Sequence, residues 1–140
     1  MRKATRATTA VIAAMGLAPL GGCSLFGSDE PTIAVDRTFR GPPMGLTATD
    51  HVHVVTAQAP NPGWRLEFDR AEEAPGPTRA LVTLRRPDPR LIYTQQIANL
   101  SAATTIDIEE PIEVFARIAE HDDRSPDAAY ERVLIGIGPE

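Results

Sequence analysis

Hydrophobic residues recur at every second position in several short stretches of this chain, and helical spacing is weak throughout. Ile33 and Val35 alternate with Ala34 and Asp36, and Val52 and Val54 alternate with His51 and His53. Trp64, Leu66 and Phe68 alternate with Arg65, Glu67 and Asp69, the cleanest such pattern in the sequence. Ile112, Val114, Ala116 and Ile118 alternate with Glu113, Phe115, Arg117 and Ala119. A period of two sends successive side chains to opposite faces of a pleated backbone, so each stretch predicts a half-buried strand. Residues 79–86 (RALVTLRR), apolar in the middle with arginines at the ends, and 130–137 (YERVLIGI) predict two more. Residues 91–98 and 102–108 also read as strands, whereas 40–50 (RGPPMGLTATD) reads as an irregular connection.

Proline punctuates this pattern. Pro60, Pro62-Gly63, Pro75-Gly76-Pro77, Pro87-Asp88-Pro89, Pro111 and Ser125-Pro126-Asp127 fall between the apolar stretches. Proline has no backbone donor and is excluded from central strands, so these positions mark gaps. Seven or eight short strands within residues 32–140 predict an all-β fold. The expected form is a small antiparallel β-sandwich, immunoglobulin-like, with a small open barrel as the alternative.

Asn61-Pro62-Gly63-Trp64 suits a type II turn, with Pro62 presetting φ and Gly63 supplying a positive φ. Trp64 is the only tryptophan among seven aromatic residues. That scarcity favours a ring tucked into the core on the face of Leu66 and Phe68. The competing reading holds Trp64 out on the turn to grip a partner.

The first part of the chain follows different rules. Arg2, Lys3 and Arg6 precede an apolar run, Ala10–Leu20, too short for a stable membrane span. Leu20-Gly21-Gly22-Cys23 follows and resembles the lipobox of bacterial lipoproteins: an aliphatic residue, two small residues, then a cysteine. Residues 23–31 read as a lipidated tether leading into the sandwich domain of 32–140; the resemblance itself implies a signal peptide over 1–22 and acylation of Cys23. It places the protein in the cell envelope, anchored to a membrane through its N-terminal lipid. With Ser24 after the cysteine, the outer membrane is favoured in a cell that has one. Cys23 is the sole cysteine, so the fold rests on no disulfide framework.

Charge narrows the partners. The formal charge is −5, and removing Arg2, Lys3 and Arg6 with the signal takes it to −8. Nucleic acid and anionic headgroups are poor partners for so acidic a domain. Catalytic signatures are sparse. Ser24, Ser28, Ser101 and Ser125 lie outside any Gly-x-Ser-x-Gly motif, and no phosphate-cradling glycine loop occurs. The expectation is a protein that is not an enzyme and carries no cofactor.

Four groups of residues remain as binding candidates. His51 and His53 share one face of a strand, and His121 with Asp122 and Asp123 would have to complete a metal or small-ligand site. The acidic loop 120–127 offers hard oxygen ligands but lacks EF-hand spacing. Arg85, Arg86 and Arg90 sit in a proline-stiffened loop, RRPDPR, suited to an acidic partner. Their alternative use is internal: residues 106–140 hold ten acidic residues against three arginines. Tyr93, Gln95 and Gln96 either line a shallow site or satisfy backbone groups at a sheet edge.

NPGWRLEFDRAEE, ALVTLRRPDP and YTQQI together look similar to the small domain of the PrcB family, bacterial proteins that associate with a surface protease. The chain lacks that family's paired glycine before the aromatic, and its RRPDPR loop is more basic. The Asn61-Pro62 turn is also similar to the Asn-Pro loop of chagasin-type protease inhibitors. The resulting expectation is a non-catalytic envelope lipoprotein, an accessory or protein-binding module with an envelope protein as partner. The alternatives are a metal- or ligand-binding protein using His51, His53 and His121, and an inhibitor-like domain presenting the Asn61–Trp64 turn.

Overall fold

The structure, a computed structural model, describes residues 31–135. The signal segment, Cys23, nearly all of the tether and the end of the stretch 130–137 lie outside the described residues. Eight strands follow one another: β1 (Ile33–Thr38), β2 (Met44–Thr49), β3 (Val52–Ala59), β4 (Arg65–Glu72), β5 (Thr78–Arg85), β6 (Ala98–Asp107), β7 (Ile112–Ala119) and β8 (Tyr130–Arg132). They build a five-stranded sheet in the order β1-β8-β7-β5-β4 and a three-stranded sheet in the order β2-β3-β6. The fold is thus all-β with two sheets, as the period-two pattern predicts.

Alternation decides which side chains meet between the sheets. Val55 and Ile106 of the smaller sheet pack with Ala80, Val82, Val114 and Ala116 of the larger. Leu46, Leu66 and Phe68 close the edges of this core. Each large aliphatic side chain enclosed here contributes about 1.5–3 kcal/mol.

Three expectations need correction. The pairing is not wholly antiparallel, because β5–β7 and β1–β8 run parallel. After β5 the chain crosses to β6 in the other sheet and returns beside β5 as β7, so a strand takes the place of the usual crossover helix. Residues 44–49 form β2 and not a loop. Pro42 and Pro43 precede the strand, and the Pro43 carbonyl still accepts the Gln58 N–H at 2.9 Å. Residues 91–97 are irregular, not a strand. There the Leu91 N–H turns back onto the Asp88 carbonyl at 3.1 Å, and the segment spans from the end of β5 to the start of β6.

A candidate docking site at one end of the sandwich

The end where β5 and β7 finish and β6 begins gathers most of the loops singled out in the sequence. The first is the turn before β4. Asn61 Oδ1 accepts the Gly63 N–H at 3.0 Å, an Asx turn. No glycine among the described residues has a positive φ, so the expected type II turn does not form. Gly63 is needed for space instead: a Cβ there would come within 2.6 Å of the Tyr93 ring and 2.7 Å of Pro87. The turn therefore does not project. Of its four residues only Pro62 is exposed.

Trp64 answers to neither simple expectation. It is half-buried and belongs to neither hydrophobic cluster, so it does not anchor the core. Its ring lies under the Arg86 guanidinium, 5.8 Å from the centroid. Cation–π contact at such a partly exposed site contributes about 0.5–1 kcal/mol.

The second loop is RRPDPR, and its arginines are engaged within the molecule. Arg85 Nε donates to Glu67 at 2.7 Å, and its Nη1 reaches the carbonyls of Glu120 and Asp123. Arg86 pairs with Glu120 at 3.4 Å. Arg90 grips Asp88 with two guanidinium bonds, 2.9 and 2.8 Å, and donates its backbone N–H to the same carboxylate at 2.9 Å. The Arg90 side chain, then its backbone N–H, pull the Asp88 carboxyl down to about 2. The same bond raises the pKa of Arg90.

His121 brings the third loop to this end. Its Nε2 is 3.6 Å from Asp88, its Nδ1 is 3.5 Å from Asp122, and its carbonyl accepts from Arg65 at 3.2 Å. Pro62, Gly63, Arg65, Arg86, Asp88, Tyr93 and His121 together line a cleft of about 370 Å³.

Beside the cleft, residues 91–97 turn their apolar side chains outward. Ile92 is fully exposed, Ile97 is 70 % exposed and Leu91 is 59 % exposed. These aliphatic side chains stand outward beside the exposed Arg90, Thr94, Gln95 and Gln96, an apolar component that the residue pattern did not suggest. One signal was present: LIY places three bulky residues in succession and breaks the alternation of a half-buried strand.

The three histidines are not brought together. His53 Nε2 contacts the Glu110 carbonyl at 2.9 Å, and the Glu110 side chain bonds Thr78 at the start of β5. His121 lies past the other end of that eight-residue strand, roughly 23 Å away. The metal reading built on His51, His53 and His121 therefore has no common centre. In the acidic loop, Asp123 Oδ1 accepts the Ser125 N–H at 3.0 Å, an Asx turn.

A polar network unforeseen from the sequence lies on the outer face of the five-stranded sheet. Asp69 accepts from the Thr83 hydroxyl and, at 2.7 Å, from the Tyr130 phenol. Arg117 donates to Thr83 at 3.0 Å and to the Pro126 carbonyl at 2.8 Å. Burial, followed by the Asp69 bond, pushes the Tyr130 phenol up to about 12, so it stays protonated and donates. The one hint was Thr83, a hydroxyl inside the apolar run ALVTL.

Compared with family models, curated proteins and solved structures, the chain matches none.

Proposed function

We propose that this protein is a lipid-anchored, non-catalytic envelope module that docks onto another envelope protein through its loop end. Acylation of Cys23 ties it to a membrane; the mature domain supplies the docking surface. One observation carries the reading: turn 61–64, loop 86–97 and loop 120–123 close on a single cleft whose walls are already fixed by Asx turns and ion pairs. A surface ordered before it meets its partner loses less entropy on binding. The internally paired arginines shift the expected partner chemistry away from purely acidic and toward a mixed apolar and polar segment. The resemblance to the PrcB family implies a surface protease as that partner.

A photo-crosslinking residue at Arg65, on the rim of the cleft, tests this in intact cells. The expected outcome is one discrete adduct with an envelope protein, and none from the same probe at Glu109 beyond β6. Equal labelling at both positions, or enzymatic turnover by the isolated protein, overturns it. Cys23→Ser is expected to leave the precursor unprocessed and the protein outside the membrane fraction. Unchanged mass and fractionation would remove the anchor from the proposal.

A further inference from the structure

We infer that the aliphatic tip of loop 86–97, Leu91, Ile92 and Ile97, rests in the surface of the bilayer that holds the lipid anchor. The recessed cleft beside it is then left to the protein partner. The inference rests on the anchored reading above and adds the orientation of the domain.

Three observations meet here. The first is where the described chain begins. β1 pairs in parallel with β8, Ile33 opposite Tyr130, and Tyr130 lies under Arg117, two residues before β7 ends. β1 runs from that level toward the far end of the sheet, where the Phe39 N–H reaches the Arg132 carbonyl. Pro31 therefore stands on the side of the molecule nearer the loop end. The second is length. The eight residues from Cys23 to Pro31 span at most roughly 28 Å. An acylated Cys23 would keep the loop end close to the bilayer and make its contact with lipid an intramolecular event. Three aliphatic side chains too few to bind a membrane alone are then enough to hold an orientation.

The third is the chemistry of the tip. Ile92 is fully exposed although its neighbour Tyr93 packs on Gly63, so the loop is held with its apolar side outward. Asp88 and Arg90, the only charged residues between Pro87 and Ile97, neutralise each other in a double hydrogen bond. Between Pro87 and Ile97 the formal charge is therefore zero, and the exposed carboxylates at this end, Glu120 and Asp122, belong to the neighbouring loop. Ile108 and Leu134, exposed aliphatic residues toward the opposite end, come from separate segments and form no such group within one loop.

The test uses the full acylated chain in phosphatidylcholine vesicles. With Cys23 acylated, a cysteine introduced at Ile92→Cys or Glu109→Cys is the only free thiol and takes a nitrobenzoxadiazole label. The expected result is blue-shifted emission at position 92, quenched by spin-labelled lipid, with water-like, unquenched emission at 109. Water-like emission at 92 on a chain that remains anchored overturns the inference and leaves the anchor standing. A blue shift appearing only on addition of an envelope protein, without lipid quenching, assigns the tip to a protein and also overturns it. A chain that leaves the vesicles with its Cys23 thiol free defeats the anchored reading, and the orientation falls with it.

Discussion

The two sheets share one core but treat their outer faces in opposite ways. On the three-stranded sheet, Gly45, Thr47, Thr56, Gln58, Ser101 and Ala103 face outward, all uncharged, in an antiparallel register that shifts between Val52 and Val54. On the five-stranded sheet the outward side chains include Glu67, Asp69, Arg79, Arg85, Glu113, Arg117 and Arg132. Beneath them lies a second hydrophobic cluster of Leu81, Phe115 and Tyr130, with Ile33 against it. Arg79 and Arg132 lie over the Phe115 ring at 5.5 and 5.8 Å, and Arg117 over Tyr130 at 4.3 Å. Arginine stems and guanidinium planes act as a lid that keeps large apolar groups from water while leaving charge at the surface. One face carries little that needs covering; the other is stable only while its polar cover is complete.

Cutting into the covered cluster should produce the largest effect. Phe115→Ala removes a fully enclosed ring and is expected to lower stability by about 3–5 kcal/mol in urea unfolding. A loss similar to that of a surface change would mean that the second cluster is not a core.

High pH should divide the faces next. The Tyr130 phenol, held protonated with its pKa raised from 10.0 to about 12, keeps in the folded state a proton that the unfolded chain releases earlier. Its contribution is complete below pH 10 and is lost as pH rises toward 12. Urea midpoints across that interval should fall, and Tyr130→Phe should remove this part of the slope.

Thr83→Val is the next step down. It takes one donor from Asp69 and the acceptor from Arg117 Nε, with an expected loss of about 1–3 kcal/mol. Thr47→Val, on the uncharged face, should stay within about 0.5 kcal/mol. If the two threonine changes cost the same by chemical denaturation, the contrast between the faces is empty.

Much of this was legible in the residue pattern, for a physical reason. β4 and β7 each turn alternate side chains into the core between the sheets, so Leu66 and Phe68, or Val114 and Ala116, announce their face, whereas β3 sends Val55 inward and the expected Val54 outward, opposite Thr47 and Ala103. Phe115 was placed correctly opposite Val114, but that side reads as polar because Glu113 and Arg117 flank it. Only the fold reveals that arginines from β5 and β8 cover the ring. β2 was hidden by Pro42 and Pro43, although Met44 and Leu46 do alternate with Gly45 and Thr47. The parallel pairing of β5 and β7 depends on a crossover through the other sheet, which no local pattern encodes. At the loop end the residue choices were visible and their roles were not. Gly63 serves close packing with Tyr93, and the arginines of RRPDPR pair with acidic groups of the same molecule.

The pairing of the first strand with the last has a mechanical side. β1 and β8 run in the same direction, so tension entering at Pro31 and resisted beyond Arg132 pulls along the ladder. Its hydrogen bonds then bear load in shear and do not peel apart from one end. A domain pulled by its leading end would in this way be clasped at the point where the tug arrives.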